Sequence, residues 1–208
     1  MIVWEFARDG EWLMAIYTLF LLVGYMRPSE GLSVRRLDLQ APVNKATGVW
    51  HVLPFPEERS ARSKTYAAND SVELHSFWMP WFSEVVKTMS EGASQELLFP
   101  FSYGNYLAVW RRVFRRLPLE AVPYQARHSG ASIDAAMGYR SRPERKSQGR
   151  WKTDASVQRY EKKALLTKTF NALSTEWKVH AQQCEKRLEH LLLRGGSPDE
   201  LQSPQIRG

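Results

Sequence analysis

Four short blocks hold the side chains with the most chemical reach. Arg27 lies in Gly24-Tyr25-Met26-Arg27-Pro28-Ser29-Glu30 and Arg127 in Tyr124-Gln125-Ala126-Arg127-His128-Ser129; an indole lies in Gly149-Arg150-Trp151 and a phenol ends Val157-Gln158-Arg159-Tyr160. Guanidinium groups present paired N–H donors that match phosphate oxygens, and they keep their charge at any relevant pH. A phenol ionises near ~10, so about a thousandth is phenolate at neutral pH, and Tyr160 needs a cationic or proton-accepting neighbourhood to act as a nucleophile. The set suits metal-free cleavage of a phosphodiester, which requires a nucleophile, donors for the non-bridging oxygens and a proton for the leaving 5′-oxygen. In that chemistry Tyr160 attacks, Arg27 and Arg127 clamp the phosphate, and Trp151 adds an uncharged indole N–H. Tyr124, three residues before Arg127 at a helix start, can face the same phosphate.

Each string alone is common; their order and spacing are not. The intervals from Arg27 to Arg127, from Arg127 to Trp151 and from Trp151 to Tyr160 are 100, 24 and 9 residues. In order, type and spacing the four blocks resemble the active site of the tyrosine recombinases of the phage-integrase type, over roughly Glu11 to Leu166. The resemblance implies cutting and rejoining of double-stranded DNA through a covalent 3′-phosphotyrosine at Tyr160, without cofactor, by a homo-oligomer, typically a tetramer on DNA. It implies a lysine on a small sheet as the acid that protonates the leaving oxygen, for which Lys64 is the candidate and Lys45 lies in the same region. It also implies that Glu30 orients the first arginine. The chain departs from the family in having Tyr124 where histidine is usual; a tyrosine donates a hydrogen bond but is neither a cation nor a neutral-pH base, and His128 stands close enough in sequence to substitute in part. The family's N-terminal clamp domain is expected to be absent. Two other readings stay open: a catalytically inactive DNA-binding relative, and a type IB topoisomerase-like activity.

Singly, Trp151, Tyr160, Arg27 and Lys64 are ordinary core or surface residues, and only their joint spacing argues otherwise. The stripe Arg111, Arg112, Arg115 and Arg116 is either a solvated helix face or a set of phosphate contacts, and so are Arg140, Arg142, Arg145 and Lys146. In a DNA enzyme the second reading leads, so these residues are expected to bind DNA. His51, His75, His180 and His190 form no metal-ligand spacing, and no glycine-rich phosphate loop is present, so neither a catalytic metal nor ATP is expected.

The elements that must carry these groups follow from periodicity. Apolar residues at helical spacing predict a core helix from about Glu11 to Val23, stopped by Gly24, with a new helix opening at Pro28 behind Arg27. Alternation at Val49, His51, Leu53 and Phe55, then at Val72 and Leu74, predicts a small antiparallel sheet between Leu37 and His75. Helices are expected near Phe77 to Met89, Asn105 to Leu117 and Tyr124 to Met137, the last closed by Gly138. Tyr139 to Arg150 reads as a loop, Asp154 as the start of the helix bearing Tyr160, and Glu161 to Leu193 as one long amphipathic stretch.

The fold class is thus mixed α+β, mostly helical, with the small sheet packed on a helical bundle: one catalytic domain over residues 1–193 and a disordered tail over 194–208. The length of 208 residues and a hydrophobic fraction of 43% fit one well-packed domain. A net charge of +7 and a pI near 9.6 favour an anionic partner. Cys184 is the only cysteine, which excludes an internal disulfide and favours an intracellular setting, nuclear in a eukaryote or cytoplasmic in a bacterium. The apolar run Trp12 to Gly24 falls short of the ~20 residues of a membrane span.

Overall fold

From Met14 to Val23 the chain is apolar on nearly every face, and a helix of that kind is stable only when surrounded. The computed structural model surrounds it: α2 (Trp12–Val23) buries Tyr17, Leu19, Phe20 and Leu21 among the rings of Phe6, Phe82, Phe99 and Tyr106. Its buried Thr18 hydroxyl is satisfied by the Met14 carbonyl at 2.7 Å and the Tyr106 hydroxyl at 2.8 Å. The structure describes residues 1–43, 48–54, 71–92, 95–160 and 163–205. The chain is mostly helical with a small three-stranded antiparallel sheet, a mixed α+β protein.

In order, α1 (Ile2–Arg8) precedes α2, and α3 (Pro28–Ser33) follows it with Arg27 at its N-cap. Strands β1 (Leu39–Gln40), β2 (His51–Val52) and β3 (Val72–Glu73) pair side by side, Leu39 opposite Val52 and Val52 opposite Val72. Val52 and Val72 are fully buried while Gln40 and Glu73 face out; the alternation expected at Val72 and Leu74 is present, but in β2 the buried residue is Val52, not the expected face of His51 and Leu53, which are only partly buried. Then come α4 (Phe82–Ser90), α5 (Tyr103–Phe114), α6 (Gln125–Met137), α7 (Arg142–Gln148), α8 (Asp154–Gln158), α9 (Lys163–Ala172) and α10 (Thr175–Leu193). No helix among the described residues is long and apolar enough to cross a membrane.

The crossing of α6 over α2 does most to position the site. Gly130 permits it, because a Cβ there would stand 1.9 Å from the Leu22 carbonyl oxygen. Arg127 lies three residues earlier on the same helix, so the crossing carries it under the turn that follows α2. Gly138 ends α6 at φ 71°, in the left-handed cap a glycine accepts at no steric cost.

Several sequence expectations need correction. Tyr139 to Arg150 is not a loop: Ser141 and Glu144 form a capping box that starts α7, with Pro143 in its first turn. Tyr160 lies past the end of α8, its N–H bonded to the Val157 carbonyl. The stretch after it is two helices, broken where Ser174 caps α10 by accepting from the Trp177 N–H. Turns around Pro80 delay α4 to Phe82, and α1 is an additional helix.

The described part of the tail, up to residue 205, makes contacts with the body of the chain. Leu201 packs among Trp4, Ala7, Cys184 and Leu191, and Ser203 donates to Glu5 at 2.5 Å. The Trp4 indole donates to the Pro198 carbonyl at 3.0 Å.

Candidate active site

Three chain turns meet beneath α6. The first runs from Gly24 to Arg27, the second is the start of α6 itself, and the third runs from Gly149 to Trp151. Tyr25 and Arg150 are the two non-glycine residues among those described that hold a left-handed backbone, φ 46° and 51°. Such conformations persist where surrounding contacts over-determine them. Here the contact is Arg127, which donates through Nη1 to the Tyr25 carbonyl and through Nη2 to the Gly149 carbonyl at 2.5 Å. Its guanidinium pins both turns to α6.

That finding changes the role expected for Arg127. It is fully buried, with both Nη groups on backbone carbonyls, so the direct phosphate clamp read from the sequence is not the arrangement seen. Its Nε–H is buried and has no partner among the described residues. Burial, with the guanidinium groups of Arg150 and Arg27 nearby and Glu30 pulling the other way, pushes it down to about 10, so it stays charged at neutral pH.

Glu30 ties the cluster together. It is 1% exposed; Oε1 accepts from Arg27 Nη1 at 2.5 Å, Oε2 accepts from the Arg27 backbone N–H at 2.7 Å and from Arg150 Nη2, and Arg127 Nη1 lies 3.7 Å away. Glu30 thereby fixes where the Arg27 guanidinium lies. Arg27 keeps 21% of its side chain exposed, the guanidinium of the three with most access to solvent. Burial lowers its pKa, but Glu30 outweighs this and holds it above the ordinary value. Arg150 was not singled out in the sequence as a site residue; nothing in its type distinguishes it from other basic loop residues.

The aromatic groups stack against this charge. Tyr160 lies on Trp151 with ring centres 4.4 Å apart and 18° between planes, and Trp151 continues onto Tyr25 at 6.0 Å. The Arg127 guanidinium sits 5.1 Å from the Trp151 ring centre and 5.9 Å from that of Tyr160. Gly149 makes room, since a Cβ there would meet the Trp151 ring at 2.5 Å. The Trp151 indole N–H is buried with no partner among the described residues. His128 touches both tyrosines, 4.2 Å from the Tyr160 ring and 5.1 Å from that of Tyr124. The two phenols meet at 3.3 Å between hydroxyl oxygens. Burial, then the hydrogen bond to Tyr160, raise the Tyr124 pKa, keeping it a neutral donor near pH 7. Ser132 donates to the Tyr160 carbonyl and fixes the end of α8 against α6.

Arg27, Glu30, Tyr124, Arg127, His128, Trp151 and Tyr160 thus converge. Lys64 and Lys45 lie outside the described residues. Among those described, no group of three or more His, Cys, Asp or Glu could hold a metal ion.

Several residues expected to bind DNA are committed elsewhere. Arg112 pairs with Asp9 at 2.9 Å and Glu11 at 3.0 Å; Arg116 pairs with Glu5 at 2.9 Å and Asp9 at 2.8 Å, stapling α5 to α1. Arg145 is buried and donates to the Arg140 carbonyl, and Lys146 pairs with Asp154 at 2.7 Å. Arg140 is also buried, bound to Asp134, which accepts the Tyr25 hydroxyl as well. Arg111, Arg115 and Arg142 remain exposed.

No family model, no curated protein and no solved structure matches the chain.

Proposed function

We propose that this chain is a DNA breaking-and-rejoining enzyme that performs site-specific recombination through a 3′-phosphotyrosine at Tyr160. The observation that carries the reading is the meeting of the Tyr160 hydroxyl with Tyr124, among Arg27, Arg127 and Trp151, from segments up to 133 residues apart in sequence. Arg27, tethered by Glu30, takes the non-bridging oxygens of the phosphate, and Tyr124 donates a further hydrogen bond. Arg127 contributes charge at slightly longer range while holding the two turns in place.

Tyr160 Oη bonds to phosphorus, the bond to the 5′-oxygen breaks, and that oxygen takes a proton from Lys64, leaving a 5′-hydroxyl. The phenolic proton passes to the imidazole of His128, whose ring lies against that of Tyr160. A second strand's 5′-hydroxyl then reverses the step, so the bond energy is conserved and no cofactor is needed. The basic composition and the exposed Arg111, Arg115 and Arg142 support DNA as the partner. Leu165 and Phe170, 51% and 42% exposed on α9, support assembly into an oligomer, a tetramer on DNA, with other copies of the chain.

A catalytically inactive DNA-binding relative is the second reading, favoured by the full burial of Arg127. Incubation with nicked duplexes in EDTA, followed by denaturing gels, separates the two. The enzyme reading requires a covalent protein–DNA band that disappears in Tyr160→Phe while DNA binding persists; DNA binding with no such band in the parent protein leaves the inactive reading.

A further inference from the structure

The guanidinium of Arg150 was not part of the chemistry read from the sequence, yet it lies inside the cluster. Arg150 is 9% exposed and its Nη2 donates to Glu30 Oε2. It reaches that position from a backbone at φ 51°, a conformation that glycine adopts freely and asparagine tolerates, and that a long unbranched side chain disfavours. The local backbone therefore does not call for arginine; the contact with Glu30 does.

Glu30 Oε2 has competing claimants. It accepts from the Arg27 backbone and from Arg150, while Arg127 Nη1 waits at 3.7 Å. Without Arg150, Glu30 is free to draw Arg127 off the Tyr25 carbonyl and to rotate away from Arg27 Nη1. Beside the cluster, Arg127 Nε–H and the Trp151 indole N–H are buried donors with no partner among the described residues, which points to an oxygen-rich anion as the missing acceptor.

We propose that Arg150 is a positioning residue of an anion site: it holds Glu30 so that Arg27 faces a bound phosphate, and it adds a third positive charge to the cluster around Glu30. The inference rests on the proposed phosphotyrosine chemistry for the identity of the substrate, but not for the existence of the anion site.

The test uses the full chain and Arg150→Gly, which relieves the left-handed backbone, with Arg150→Asn as the second variant. Two readouts are needed. The first is the melting temperature in inorganic phosphate against sodium chloride at equal ionic strength. The second is the single-turnover rate of adduct formation on a nicked duplex. The expected result is a parent protein that phosphate stabilises by several degrees, and variants that stay folded, melting lower than the parent in chloride because a buried ion pair is lost, and that lose the phosphate gain. Adduct formation falls at least tenfold in the variants.

Variants with parental phosphate stabilisation and rate overturn the inference. So does failure of both variants to fold, which makes Arg150 a structural ion pair. If the parent forms no adduct, the recombination reading fails, and the phosphate measurement alone decides: a gain in the parent that the variants lose sustains the site, and no gain in the parent refutes it.

Discussion

Replacing Arg127 by alanine should unfold this protein long before it informs on catalysis. The side chain is fully buried and saturates the carbonyls of Tyr25 and Gly149, each at the edge of a left-handed turn. Leaving a buried carbonyl without a donor costs about 1–3 kcal/mol, and removing one member of a buried charged network costs about 3–5 kcal/mol. These overlap, and a loss of roughly 4 kcal/mol is the expected sum, a large part of the ~5–15 kcal/mol that holds a domain together. It corresponds to about a thousandfold in the folding equilibrium, and with a urea slope of ~2 kcal/mol per molar it moves the midpoint down by ~2 M.

Arg27→Ala is the internal control. Arg27 is partly exposed and its pair with Glu30 is screened by solvent, so its removal should cost at most about 1 kcal/mol, or ~0.5 M in midpoint. Arg127→Lys should behave nearly like alanine, because one ammonium cannot span two carbonyls. Urea melts followed by circular dichroism and tryptophan fluorescence give all three midpoints. If Arg127→Ala and Arg27→Ala unfold at the same urea concentration, the pin described here is wrong and Arg127 is an ordinary site cation.

The arginines at the end of α5 and just after it should divide into two kinds. Arg111→Ala and Arg115→Ala should weaken DNA binding alike on any sequence and lower the slope of log K against log salt by about 1 each. Arg112→Ala and Arg116→Ala should leave that slope unchanged; filter binding across salt concentrations checks both. Burial holds the pKa of His180 below its ordinary value. The neutral imidazole is therefore the form the fold prefers, so its contribution is complete above pH ~6.5 and is lost as pH falls from there toward the lower folded value. Urea midpoints between pH 7.5 and 5 should decline with acid, and less steeply in His180→Gln; equal slopes would contradict the assignment.

Much of the secondary structure was legible because it depends on local pattern. The all-apolar run of α2, the proline at the start of α3, the alternation of Val72 and Leu74 and Gly138 at the end of α6 are each decided by side chains within a few residues. The helix α7 was legible too, in the Ser141–Glu144 capping box, but the density of charge in that segment suggested a solvated loop instead. The candidate site could be named from spacing, since the types at 27, 124, 127, 151 and 160 are those that phosphate chemistry needs.

Which partners each of those residues meets is decided only by tertiary contacts. No local pattern distinguishes a guanidinium that points at solvent from one that meets two carbonyls 102 and 22 residues away, yet this separates Arg27 from Arg127. The same holds for Arg112 and Arg116, whose partners Glu5, Asp9 and Glu11 lie on or beside another helix, and for Arg150, whose partner is 120 residues distant. Charge and spacing choose the residue types; burial and the long-range partner choose between clamp, pin and staple, because an ion's energy depends on what replaces its water.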